Sequence, residues 1–306
     1  MDILCSRACV LASYSIFVVR QYLDGEDDSG RKYVKPLSFS PQTVPLFLEG
    51  PVRYMKVAEG IDAQRAVYQS VKTSEMYDDK LGMVKICAPL DGMSFEVGRM
   101  MAFAPGWLEN ESIWLHMSYK FYLQLLRGGL YDEFFAEMAT GLVAFMDPEV
   151  YGRSPLESSS FLASSAHPDP SIHGQGFLAR LSGSTAEFLS MWNFMMLGAA
   201  PFQVNESSGD LELTLKPVIP GDWFDAQGEV SFSFMGHTPV VYHNPTGVDT
   251  WNAALTATNL VIQLKDGTTQ HVQGGTVPAP YADLARSGGV SQIDIFYEAD
   301  EKDASA

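Results

Sequence analysis

The chain predicts an α+β protein whose helices come first and whose strands come last. Helical periodicity dominates from about residue 50 to 200, and after Pro201 apolar and polar residues alternate strictly. A length of 306 residues, 46% hydrophobic and 12% aromatic, is enough for one large core or two ordinary ones. Helices followed by strands suggest an α+β arrangement or two domains. The expected division is 1–50 unassigned, 51–200 helical, 201–298 β-rich and 299–306 a disordered tail.

The elements follow in order. Residues 8–19 are nearly free of charge but too few to span a bilayer. Asp2 precedes them, Arg7 is the only basic flank and no cleavage site follows, so a buried helix or an anomalous start is expected rather than a signal peptide. Asp24–Lys32 reads as a solvated linker. Ala58–Val71 predicts a helix, and residues 76–105 hold short apolar runs broken by Pro89, Gly92, Gly98 and Pro105. Trp114, Met117, Phe121 and Leu125 recur at helical steps, and Gly128-Gly129 stops that helix. Tyr131–Val143 predicts a second helix, ending before Asp147-Pro148.

Residues 151–176 form a long segment rich in Ser, Pro, Gly and His, and irregular loops of that length are usually functional or mobile. Ser184–Leu197 resumes as helix. Strands are expected at Leu211–Leu215, Val230–Phe234, Val240–Tyr242, Leu260–Leu264 and Ile293–Tyr297, with a turn at Lys265–Thr268. The sequence contains no internal repeat.

A net charge of −17 argues against a nucleic-acid partner while leaving room for a single bound phosphate. No membrane partner is expected. Cys5, Cys9 and Cys87 have neither metal-ligand nor disulfide spacing, which favours a reducing compartment and hence the cytoplasm. His167, Asp169 and His173 have a metal-like composition, but Pro168 and Pro170 deny them a regular face, so no metal site is expected. The serines at 158–160 and 164–165 lack a nucleophile-elbow pattern. Gly174-Gln175-Gly176 lacks the third glycine of a dinucleotide turn.

Two stretches point to chemistry. In Gly106–His116, a Gly-Trp-Leu turn delivers Glu109 and Asn110 to the mouth of a helix. His116 is expected seven residues beyond Glu109 on the same helical face, roughly 10 Å along the axis. In Leu181–Glu187, small hydroxyl residues and a glycine open another helix, with Ser184 and Glu187 spaced as a capping box. Free N–H groups at a helix start, a glycine and hydroxyl donors suit an oxyanion. Carboxylate plus imidazole beside an anion cradle suggest a sugar next to a phosphate.

With these residues in view, the chain resembles the carboxy-terminal part of inverting glycoside phosphorylases of the cellobiose phosphorylase type, or a sister β-glucan phosphorylase family. The resemblance rests on Glu109, Asn110, Ile113 and His116, on Ser182-Gly183-Ser184-Thr185-Ala186, and on Pro217-Val218-Ile219-Pro220-Gly221-Asp222-Trp223. It covers about residues 75–297 and implies that 51–200 is part of an (α/α)6 barrel followed by a β-rich carboxy-terminal domain. Glu111-Ser112 stands where the group has Gly-Gly. No segment matches the loop that carries the group's general acid, so the catalytic residue is unassigned and a truncated chain is expected.

The resemblance implies phosphorolysis of a β-glucoside or β-glucan to a sugar 1-phosphate with inversion, with inorganic phosphate as co-substrate and no other cofactor. His116, Ser182 and Gly183 would hold phosphate, Glu109 would accept from a sugar hydroxyl, and Trp107 would offer a ring to the pyranose. The phosphate-binding arginines are expected in the missing upstream half, and a homodimer of the full-length protein stays open. So do two alternatives: a glycoside hydrolase of related barrel architecture, and an inert carbohydrate-binding remnant. Plainer readings also stand, with His116 a satisfied core histidine, Glu109 serving a helix dipole, Ser182–Glu187 only a cap, and Trp107 and Trp114 packing.

Overall fold

The computed structural model describes residues 14–179 and 182–299, without the side chains of Ala179 and Ser182. Cys5, Cys9, the first part of the apolar amino-terminal stretch and the tail beyond Ala299 lie outside the described residues. The chain forms two compact units, Met1–Phe188 and Leu189–Ala306.

The first unit begins with a hairpin of β1 (Ser15–Glu26) and β2 (Lys32–Thr43), paired antiparallel over their whole length. The part of the amino-terminal stretch that is described is therefore strand, not buried helix. The expected linker at 24–32 is the hairpin's end and turn. There the Asp27 carboxylate accepts from the N–H groups of Ser29 (2.9 Å) and Arg31 (3.0 Å), a side chain replacing backbone partners in the turn.

Helices α1 (Glu49–Met55) and α2 (Ile61–Lys72) follow, then a short hairpin of β3 (Tyr77–Asp78) and β4 (Met83–Val84). Strand β5 (Ile113–Trp114) leads directly into α3 (Leu115–Arg127), an amphipathic helix that buries Leu115, Tyr119, Tyr122, Leu125 and Leu126 and even Ser118 and Gln124, and leaves Arg127 exposed. Gly129, at φ 78°, ends α3. Leu130 N–H reaches Leu125 O (2.9 Å) and Gly129 N–H reaches Leu126 O (3.1 Å), satisfying the last carbonyls. Helix α4 (Tyr131–Gly141) is tied to α2 through Glu137, which is 1% exposed and accepts from Lys72 Nζ (2.5 Å) and Tyr68 Oη (2.8 Å). After the short α5 (Pro148–Tyr151), β6 (Ser159–Leu162) pairs with β5 and with β7 (Gly176–Ala179) in an antiparallel sheet. Helix α6 (Ser182–Leu197) completes the helical region.

The (α/α)6 barrel expectation is overturned. Among the described residues the fold is mixed, with seven α-helices interleaved with antiparallel sheets. Where a barrel would place paired helices, residues 76–114 and 142–179 hold short strands, 3-10 turns and a four-residue helix. The cause is legible in composition. Pro89, Pro105, Pro148, Pro155, Pro168 and Pro170 deny these segments continuous helix, and the chain satisfies its backbone by strand pairing instead.

The second unit holds the remaining strands: β8 (Phe202–Val204), β9 (Leu211–Thr214), β10 (Glu229–Phe234), β11 (Thr238–His243), β12 (Leu255–Leu264), β13 (Thr269–Gln273), β14 (Thr276–Val277) and β15 (Val290–Ala299). They form a five-stranded sheet in the order β10-β11-β15-β12-β13 and a three-stranded sheet β14-β9-β8. All these pairs are antiparallel except β11 with β15. Both sheets and α7 (Tyr281–Ser287) contribute to one core that includes Leu213, Tyr242, Leu260, Ala282 and Ile295. Among the described residues no helix is long and apolar enough to cross a membrane.

Candidate functional site

The turn at 106–112 departs most from ordinary backbone. Gly106 has φ 77°, and a Cβ there would lie 2.5 Å from the backbone nitrogen of His167, so only glycine lets the two loops touch. Trp107 N–H donates to Asn110 O (3.0 Å) and Asn110 N–H to Trp107 O (3.1 Å), closing the turn. Leu108 (φ 50°) and Glu111 (φ 56°) are left-handed without being glycine, a conformation costing of order 1–3 kcal/mol that surrounding contacts must hold.

The expectation that Glu109 and His116 share a helical face fails here, because Glu109 sits in the turn and the helix starts only at Leu115. Glu109 Oε1 accepts from Arg99, an arginine the sequence motifs do not mark. Its Oε2 is buried with no partner among the described residues, as is Oδ1 of the buried Asn110. Asn110 Nδ2 is satisfied by Phe103 O at 2.8 Å. Glu111 is held by Lys85 Nζ at 2.7 Å, both side chains nearly buried. Next to this pair Glu111 N–H meets Cys87 Sγ at 3.4 Å. Burial pushes the Cys87 thiol up to about 11, which makes it a poor nucleophile.

His116 and Gly183 are brought together. A Cβ on Gly183 would lie 2.7 Å from three atoms of the imidazole, so the ring packs directly on the glycine backbone. His116 is the second residue of α3 and Gly183 the second of α6, so the starts of two helices adjoin. Free N–H groups and the positive dipole end are concentrated at each start. Burial, then the Lys120 ammonium one helical turn away, holds the imidazole below its ordinary 6.5, while Glu187 pulls it back up. The side chain of Ser182 lies outside the described residues.

Trp107 sits in an aromatic cluster, edge-on to Phe161 (5.0 Å) and Phe177 (4.5 Å) and tilted against His167 (5.7 Å). Trp114 stacks on the same Phe161 at 5.8 Å and 6°. Phe161 on β6 is thus the element that binds the turn to the start of α3. No sequence signal marked it beyond an apolar residue inside a presumed loop.

The two histidines of the 151–176 segment serve that loop. His173 receives Lys80 Nζ at Nδ1 (2.7 Å) and its Nε2 lies 2.8 Å from His167 O. Among the described residues no group of three or more His, Cys, Asp and Glu is placed to hold a metal ion. In the second unit His243 lies between Glu229 Oε1 (3.2 Å) and Asp294 Oδ1 (3.0 Å) and stacks on Phe296. The cross-strand register that makes it, Glu229 opposite His243, is invisible without the pairing.

The Pro217–Trp223 motif is a structural clasp. Thr250 Oγ1 donates to Pro217 O (2.8 Å) and accepts from Ile219 N–H (2.7 Å), while Asp249 accepts from Gly221 N–H (2.8 Å). No protein-family profile and no curated protein matches this chain, so the resemblance rests on its three short motifs alone.

Proposed function

We propose that this chain binds a small carbohydrate beside inorganic phosphate, in the service of phosphorolysis of a β-glucoside or β-glucan to a sugar 1-phosphate with inversion. The observation that carries the reading is the packing of His116 on Gly183 where two helices start. There an imidazole adjoins the first turns of two helices, donor types that suit phosphate oxygens, and Lys120 adds a positive charge nearby. Glu109, with one oxygen unpartnered, and Trp107 are the residues assigned to the sugar. Phosphate is already ionised, so attack on the anomeric carbon needs no base, only a held dianion and an acid for the leaving oxygen. That acid is assigned to no described residue. The reading takes no cofactor and places the protein in the cytoplasm.

A second reading, carbohydrate binding without turnover, is favoured by one observation. Both carboxylates of the turn are engaged by cations, Glu109 by Arg99 and Glu111 by Lys85, so neither is a free acid.

Calorimetry with inorganic phosphate tests the proposal. His116→Ala is expected to weaken phosphate by about 1.5–3 kcal/mol, one to two decades in affinity. Glu109→Gln is expected to impair cellobiose or laminaribiose binding and leave phosphate unchanged. The pH dependence has a definite sign. A bound dianion favours the protonated imidazole, whose free form is held below 6.5, so the affinity for the dianion itself, corrected for the protonation of free phosphate, rises as pH falls through that range. Without ligand the same depression makes protonating His116 a folding penalty, absent above the ordinary value and developed as pH falls below it. Folded variants with an unchanged phosphate response would leave His116 a packing residue. Sugar release without phosphate would point to hydrolysis.

A further inference from the structure

The β1–β2 hairpin is built as an arm. Each strand has 12 residues, an extent of about 40 Å at the usual rise per residue. Near its base Phe17 lies opposite Pro41 and Val19 opposite Phe39, which puts these side chains on one face. That face is open: Phe17 is 67% exposed and Phe39 54%. The alternate residues Ile16, Val18 and Ser40 are half-buried, so the other face is covered here. Towards the tip the apolar side chains Tyr22, Leu23, Tyr33 and Val34 are exposed as well.

A soluble chain does not ordinarily leave so much apolar surface in water. Phe17, Phe39 and Tyr33 share the open face, and at roughly 150–250 Å² per aromatic side chain these three exposed rings leave on the order of 250–430 Å² uncovered on it. Val19, Leu23 and Leu37 extend the same open face, while Tyr22 and Val34 lie on the other one. Charge selects the occupant. Arg20, Arg31, Lys32 and Lys35 balance Asp24, Glu26, Asp27 and Asp28, so the arm is neutral while the chain carries −17. Two copies would repel through most of their surface, but not through this segment. Pro36 and Pro41 remove donors from the β2 edge, which favours packing by faces over extension of the sheet.

We propose that the hairpin is a self-association arm, with the Phe17–Val19–Phe39 face packing on the same face of a second copy about a two-fold axis. Sedimentation of the full chain over roughly 1–100 μM tests this. The expected result is a monomer–dimer equilibrium that Phe17→Lys/Phe39→Lys shifts at least about tenfold toward monomer. The far-UV spectrum of the variant should match wild type, and its melting temperature should match that of wild type diluted to monomer, because both side chains are exposed. Phe95→Lys, equally exposed but outside the hairpin, should leave the dimer intact. A wild-type monomer throughout the range, or a dimer indifferent to the double variant, would overturn the proposal. So would Phe17-dependent binding of a monomer to phosphatidylcholine vesicles, which would give the face to lipid.

Discussion

The turn at 106–112 and the clasp at 217–223 are both conspicuous in sequence, yet the chain treats them in opposite ways. In the clasp the buried backbone groups find side-chain partners: Thr250 bridges two of them and Asp249 holds a third. In the turn, two non-glycine residues are left-handed and two buried acceptor oxygens, on Glu109 and Asn110, lack partners. Buried polar groups left unpaired cost about 1–3 kcal/mol each, so folding alone would not favour them. The contrast teaches where to look for a ligand: in the region that is locally expensive, not in the one whose accounts already close.

The largest effect should come from the ion pair beneath the turn. Lys85→Met leaves the Glu111 carboxylate buried without its cation, and stranding a buried charge typically costs about 3–5 kcal/mol. Denaturant unfolding should show that loss, and Lys85→Met/Glu111→Gln should recover part of it. If the single variant is as stable as wild type, Lys85 does not hold the turn, and the strain there needs another support.

The second unit should break by a different route. Ile295 is 1% exposed on β15, the middle strand of the five-stranded sheet. Ile295→Ala should cost about 2–5 kcal/mol through lost burial and a cavity, with no charge to rescue it. A loss under 1 kcal/mol would mean that this core collapses around the gap, and that the two regions differ less than their polar groups suggest.

Much of the secondary structure was legible because periodicity is local. α4 and α6 lie within two residues of the spans their patterns predict, α3 begins only after Trp114, β10, β11, β12 and β15 contain the alternating runs, and β9 holds all of its run but Leu215. What failed was whatever depended on partners distant in sequence. The pairing of Ser15–Glu26 with Lys32–Thr43 turns an apparent linker into a hairpin. The pairing of Ser159–Leu162 with strands on both sides turns an apparent loop into the middle of a sheet. The packing of the His116 ring on Gly183 was foreshadowed by residue type alone, since only a glycine fits there. Glu109 was misplaced because its heptad spacing to His116 looks helical, while a left-handed Leu108 cannot be read from composition.

The smallest expected effect sharpens the same comparison. Left-handed backbone also occurs in the second unit, at Met235 (φ 50°), followed by Gly236 (φ 75°) in the turn joining β10 to β11. His237 N–H reaches Phe234 O at 3.2 Å, so the two central residues form the mirror-image turn that favours Asn-Gly. Met235 is 50% exposed and its side chain has little burial to lose. Asn tolerates this conformation better than Met, so Met235→Asn should stabilise the chain by about 0.5–1 kcal/mol. Phosphate affinity should not change, because the strain there serves no ligand. A rise in melting temperature with unaltered calorimetry would show that left-handed strain by itself is removable. The unpartnered oxygens beside Leu108 and Glu111 would then be what sets the first turn apart. A destabilised Met235→Asn variant would show instead that the Met235 side chain supports its turn.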